Sequence, residues 1–187
     1  EETPKMCSLF VQLHTLTSYP SSLLNRDDVG FAKRIPFGGA VRIGSGSSIG
    51  ISDAGQSGSG ALDVNGQVRF TGANDYAFLN TITGAGGMYF DGTGTVTLGT
   101  NNEAYTGTLT VNGGTLVIAG SQSTGSGELS VETGGTLRID NGTQDSVLLN
   151  DLYGAGLIVK RGTGTTTLMG SSNFNGAARI EQGALRV

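Results

Sequence analysis

The residues of this chain best suited to catalysis are few, and their spacing decides what each can be. Gly46-Ser47-Ser48-Ile49-Gly50 has the form G-x-S-x-G, in which a nucleophilic serine sits on a sharp strand-to-helix turn and is activated by a downstream histidine. The single histidine, His14, lies upstream, and no helical period follows residue 50, so no hydrolase is expected. Asp53, Asp63, Asp75 and Asp91 are the carboxylates that calcium binding or polysaccharide cleavage would require. They recur at no fixed position, and the GGxGxDx calcium repeat is absent. They read as solvated loop carboxylates. One histidine and one cysteine, Cys7, exclude a His/Cys zinc cluster and an internal disulfide. The expectation is no catalytic residue, no metal and no cofactor.

Basic residues offer a second chemistry. Arg26, Arg34 and Arg42, with Lys33, are candidate phosphate contacts for RNA. Asp27 and Asp28 interrupt them and no aromatic platform accompanies them, so a solvated surface is the plainer reading. Asn141-Gly142-Thr143 is a formal glycosylation sequon but also an Asn-Gly turn. It reads as a turn, as do Asn65-Gly66, Asn112-Gly113 and Asn175-Gly176.

The elements that would position these residues follow from composition. The chain has 187 residues, net charge −4 and a pI near 4.8, which argues against a nucleic-acid surface for the whole. Its 33 glycines far exceed the usual share of about 7%. Tryptophan is absent, so Val, Ile and Leu must build the core. No apolar run reaches the roughly 18 residues of a membrane span, and the opening EETPK does not read as a signal peptide. All three prolines fall before residue 37, and Gly-rich punctuation begins at Gly44. Three segments are expected: residues 1–43; 44–59, a Gly/Ser-rich linker or irregular first coil; and 60–187.

Residues 84–118 align on 154–187, so that Gly92, Gly94, Leu98, Gly107, Val111 and Leu116 meet Gly162, Gly164, Leu168, Gly176, Ile180 and Leu185. Shorter copies stand at 127–139 and 62–70. The shared unit is a pair of alternating runs about a turn: LTV-NGG-TLVI, LSV-ETGG-TLRI, ARI-EQG-ALRV. Alternation sends Leu109, Val111, Leu116 and Ile118 to one side and Thr108, Thr110 and Val117 to the other. The matching positions Val64, Val111, Val131 and Ile180 are separated by 47, 20 and 49 residues. Halving the long gaps gives a coil of roughly 20–25 residues, the signature of stacked β-coils. One such coil cannot stand alone. Burying ~5 aliphatic side chains at ~1.5–3 kcal/mol each does not offset ordering ~23 residues at ~1–2 kcal/mol each. About six coils fit the glycine-rich part, making an all-β solenoid with a non-repeat N-terminal segment.

Two family resemblances sharpen this. KRGTGTTTLMGSSNFNGAARIEQGALRV (160–187) resembles the autotransporter-associated β-strand repeat of Gram-negative passenger domains, K-x-G-x-G-x-L-x-L-x-G-x-N-x-Y/F-x-G-x-x-x-V-x-x-G-x-L-x-V. The copy at 92–118 departs from it, with Asp91 in place of the lysine. The resemblance spans about 60–187. It implies a right-handed parallel β-helix, a cell-surface or secreted location, an outer-membrane translocator as partner and no active site. Residues 9–43, carrying FVQLHTL, SLLNRDD and FGG, resemble the N-terminus of the CasC family, the backbone subunit of type I-E CRISPR Cascade. Arg42 takes the first arginine position after FGG, but GSGSS replaces the basic stretch expected next. This second resemblance implies guide RNA as partner and a cytoplasmic location.

The chain therefore reads as a chimera. The leading expectation is a non-enzymatic surface module, a β-helical stalk that supports export and adhesion and meets host-surface or cell-surface ligands. The alternatives are a truncated guide-RNA-binding Cascade subunit, using Arg26, Arg34 and Arg42, and a carbohydrate-active β-helix. No nucleic acid is expected to bind the β-helix itself.

Overall fold

A computed structural model describes residues 41–52, 60–99, 101–120 and 123–187. The expected FVQLHTL strand, Cys7 and His14 lie outside these. Among the described residues every regular element is a strand and each strand pairing is parallel, because alternating Val, Ile, Leu and Thr favour strands and the glycines between them favour turns.

The chain winds in circuits. The first holds β1 (Val41–Ile43) and β2 (Ser48–Ile51), with GSGSS at the corner between them. The second holds β3 (Leu62–Val64), β4 (Gln67–Phe70) and β5 (Tyr76–Phe78). The third holds β6 (Ile82–Thr83), β7 (Gly87–Phe90) and β8 (Thr95–Leu98). β9 (Thr108–Val111) and β10 (Thr115–Ile118) form the fourth, β11 (Leu129–Val131) and β12 (Thr136–Asp140) the fifth. The sixth contains β13 (Ser146–Leu148), β14 (Leu152–Gly154) and β15 (Leu157–Arg161). The seventh contains β16 (Thr165–Leu168), β17 (Ser172–Phe174) and β18 (Ala177–Ile180), and β19 (Ala184–Arg186) opens the next.

Three faces result. The first is the seven-stranded sheet β2-β4-β7-β9-β11-β14-β17, and the second is the six-stranded sheet β5-β8-β10-β12-β15-β18. The third is β1-β3-β6 at one end and β13-β16-β19 at the other. Between these, in circuits four and five, it carries among the described residues only the Gly84–Tyr105 bridge and irregular chain. One strand per circuit in the first sheet makes seven circuits, where the sequence suggested about six. Partners lie 19 to 23 residues apart, the extremes being Ser48 with Gln67 and Leu129 with Leu152. The circuit is therefore shorter than the middle of the expected range, and residues 41–51 supply the extra one.

The core is a set of vertical rows. Val68, Met88, Leu109, Leu129 and Leu152 form one, and Phe70, Phe90, Val111 and Val131 the next. On the second face Val96, Leu116, Leu137 and Ile158 stack, beside Phe78, Leu98, Ile118 and Ile139. All are buried. Phe70 stacks on Phe90 at 4.7 Å and meets Phe78 edge-on at 5.2 Å, so rings fill the early circuits and branched aliphatics the later ones.

One expectation needs correction. Val111 and Val131 do stack, but Val64 lies on the third face and Ile180 on the second, so that set is not one row. Val117 points outward, yet it is buried. Its row runs Thr97, Val117, Arg138, Val159, and the long Arg138 stem between two valines shields apolar surface there.

The two long sequence copies also occupy different faces. β7, β8, the Tyr105 segment, β9 and β10 run first, second, third, first, second. Their counterparts β15, β16, β17, β18 and β19 run second, third, first, second, third. A unit of five segments is wound on three faces, and inward alternation works equally on each.

Candidate functional site

The motif residues go to the inside and to the corners. At the G-x-G corner, a Cβ on Gly94 would lie 2.3 Å from the Asn74 carbonyl oxygen, and one on Gly164 would lie 2.0 Å from that of Gln144. Backbone rests on backbone there, and no side chain fits. The aromatic-x-Gly step has a second cause. The Tyr105 hydroxyl would lie 2.7 Å from a Cβ on Gly107, and Phe174 Cζ 2.4 Å from one on Gly176, so each ring lies over the glycine two residues on. Tyr105 Oη shares its proton between the Gly86 carbonyl at 2.8 Å and that of Thr108 at 2.9 Å. Burial, and then Tyr89, raise its pKa, so it remains a neutral donor.

The motif lysine is a buried cation. Lys160 stands between Ile139 and Ile180 in register and is 0% exposed. Its Nζ donates to Asn141 Oδ1 at 2.7 Å, to the Gly162 carbonyl at 2.9 Å and to the Arg161 carbonyl. Desolvation lowers its pKa below the ordinary 10.5, and the charge of Asp140 opposes that shift. Once the glycines are aligned, the residue matching Lys160 in the earlier copy is Phe90, and Asp91 matches Arg161. The substitution placed at Asp91 belongs to Phe90. Circuits six and seven bury polar side chains too: Ser146 and Thr166 are buried and their hydroxyls lie 2.9 Å apart.

The proposed chemical residues that fall among the described ones have structural places. Ser47 and Ser48 lie at the start of β2, and a strand rather than a helix follows. Asp63 pairs with Arg42 at 2.8 Å, and Asp91 pairs with Arg69 at 2.6 Å and accepts from Asn112 at 2.7 Å. Asp75 accepts the backbone N–H of Thr95 at 2.7 Å, and Asp145 does the same for Thr165, each reaching to the next circuit. The expected solvated carboxylates are thus cross-circuit acceptors, although dispersed. Asp53 lies outside the described residues, as do Arg26, Lys33 and Arg34. Arg42, the exposed residue of β1, is held by Asp63. Among the described residues, no group of three or more His, Cys, Asp or Glu is placed to hold a metal ion.

Asn141 is 6% exposed, and its Nδ2 donates to the carbonyls of Gln144 and Thr165. Gly142 has φ of 59°, the left-handed geometry that an Asn-Gly turn uses. The sequon amide is inside, where no glycan fits.

Sequence reasoning missed a set of buried asparagines. Asn80 donates to the Gly60 carbonyl at 2.6 Å, one circuit away. Asn102 accepts from Ile82 N–H at 2.8 Å and donates to the Ser123 carbonyl at 2.6 Å, joining both neighbouring circuits. Asn150 donates to the Gly127 carbonyl at 2.7 Å and accepts from Thr124 Oγ1 at 2.7 Å. These amides satisfy backbone groups where the third face lacks full strand pairing. The available signal was an asparagine two residues before the inward residue that opens the next strand, as in Asn80-Thr81-Ile82 and Asn150-Asp151-Leu152.

The outer surface carries ion pairs, with Leu79 and Met169 also exposed on it. Arg69 lies 4.5 Å over the Tyr89 ring, beside a shallow groove lined by Asn65, Gln67, Gly86 and Tyr89. Glu181 receives Arg161 at 2.5 Å and Arg179 at 2.6 Å. The bond from Arg161 is the first cause holding the Glu181 carboxyl below its ordinary 4.5. A depressed carboxyl pKa adds stability above the ordinary value, and that stability is lost as pH falls through the folded one. Glu181→Gln should therefore flatten the acid limb of a melting-temperature series slightly, since surface pairs are screened.

The fold is thus a parallel β-solenoid whose recurring residues serve stacking. The passenger-associated-transport-repeat family model matches residues 91–118 and 158–187, and the CT1975-like protein family model matches residues 11–48. The second match runs through β1 to the first residue of β2. No curated protein and no solved structure matches the chain. Among the described residues no helix is long and apolar enough to cross a membrane.

Proposed function

We propose that this chain is a structural, non-enzymatic segment of an exported passenger, displayed at the cell surface or secreted, whose stacked circuits support export and carry adhesion on their outer face. One observation carries the reading: in the two matched repeats the recurring Gly, Leu and Tyr/Phe positions serve internal packing, and Lys160 of the second is buried with them. Outward positions such as Thr108 and Asn173 are exposed and take no part in that packing. Host-surface or cell-surface molecules are the partners this reading implies, with an outer-membrane translocator in the parent protein.

The test places the full chain between an export signal and a β-barrel translocator in a Gram-negative host. External protease should remove it from intact cells, and purified chain should bind host cells or extracellular matrix. Retention inside the cell would overturn the export role, and surface display without binding would overturn adhesion.

The match at 11–48 favours a second reading, a guide-RNA-binding remnant using Arg26, Arg34 and Arg42. It requires RNA affinity that falls steeply with salt. Filter binding at two salt concentrations separates the readings, because a passenger segment gives no salt-sensitive retention.

A further inference from the structure

Lys160 and Asn141 are two reactive groups that the stalk encloses, on neighbouring circuits and in direct contact. Asn141 follows β12 in circuit five, and Lys160 lies on β15 in circuit six. The Asn141 Nδ2 faces two backbone carbonyls, of Gln144 and Thr165, which accept only. That fixes the amide so that its oxygen faces the lysine. Nζ lies 2.7 Å from Oδ1. With a C=O bond of about 1.23 Å, Nζ is within about 4 Å of Cγ, close to the separation of a near-attack pair.

The other two partners of Nζ, the Arg161 and Gly162 carbonyls, also accept only. A neutral amine keeps its two N–H bonds on them and turns its lone pair towards the Asn141 amide. Burial favours that neutral form, and Asp140 opposes it. Among the described residues no carboxylate is bonded to the charge.

We propose that Lys160 and Asn141 form an intramolecular isopeptide bond that ties circuit five to circuit six. The Nζ–Cγ bond forms as the Cγ–Nδ2 bond breaks. The ammonium first gives one proton to solvent, the amine then passes a second to Nδ2, and Nδ2 leaves as ammonia. No oxidant, metal or cofactor enters the balance. Groups held in reacting geometry gain an effective molarity of about 10⁵ M or more, which makes a slow amide exchange accessible in a folded chain. The product is a covalent staple indifferent to reducing conditions, in a protein whose single cysteine, Cys7, permits no internal disulfide. The staple concerns the fold and holds whether or not the export reading does.

Mass spectrometry of the purified full chain tests it. Intact chain should lose the mass of one ammonia, faster as pH rises towards the lowered pKa of the amine. Digestion should yield a branched peptide joining Lys160 to Asn141, with Lys160 no longer cleaved by trypsin. Lys160→Met and Asn141→Ala should each lack the branched peptide. Attack by the Gly142 nitrogen on the same Cγ also expels ammonia, but that imide forms equally in Lys160→Met and leaves Lys160 cleavable in the native chain. Unaltered mass after prolonged incubation of the native chain, or ammonia loss undiminished in Lys160→Met, overturns the proposal.

Discussion

Leu137→Asp is expected to destabilise the solenoid by about 4 kcal/mol or more, while Thr136→Asp beside it is tolerated. Leu137 is 0% exposed and lies in register between Leu116 and Ile158, so an aspartate there removes a packed side chain and buries a carboxyl with no partner. Thr136 precedes it on β12, points the other way and is half-buried. Since whole domains are stable by only about 5–15 kcal/mol, the first change should shift the urea midpoint greatly or abolish the transition. Equal midpoints for the two variants would show that the inward and outward sides of β12 are wrongly assigned.

Gly107→Ala should be nearly as damaging for a different reason. The added Cβ would lie 1.9 Å from the Gly86 carbonyl oxygen and 2.7 Å from Tyr105 Oη. The ring can move but the carbonyl cannot, because β7 and β9 are paired beside it, Gly87 with Thr108. A cost of about 3 kcal/mol is expected, at the upper end for an overpacked site. Removing the ring with Tyr105→Ala in the same chain should give no rescue, since the backbone contact remains. Gly50→Ala is the control: nothing lies within 4 Å of its Cβ, and its midpoint should scarcely move. If Gly107→Ala and Gly50→Ala melt alike, the close stacking of circuits at this corner is refuted.

Much of this architecture was legible in the sequence because two-residue alternation survives on any face. Leu109, Val111, Leu116 and Ile118 read as inward and are inward. The circuit length emerged near its observed value even though Val64 and Ile180 were assigned to the wrong row, since the spacing of Val111 and Val131 was a true single circuit. The phase was not legible. Alternation says which side chains enter the core but not which face they enter from, so β18 and β9 matched in sequence while lying on different sheets. Val117 faces outward as alternation requires, but its burial was not legible, because it depends on the lateral neighbour Arg138, which arrives from the next circuit. GSGSS illustrates a similar limit: composition alone does not separate a tether from a corner, and Gly46, at φ 80°, serves the corner between β1 and β2. The buried asparagines and the Lys160–Asn141 contact were hidden for the same reason. Each is a bond between circuits, made by residues some twenty positions apart whose partners are mostly backbone carbonyls without a side-chain signature.

The mismatch between five-segment units and a three-faced column bears on valency. A unit advances the chain by one circuit and two faces, so like positions in successive tandem copies would point in different compass directions and realign only after three. A bivalent receptor approaching from one side would meet one copy's decoration and the flank of the next, and would gain no avidity from repetition. Duplicating a unit in the gene would lengthen the column and at the same time swivel everything beyond the insertion.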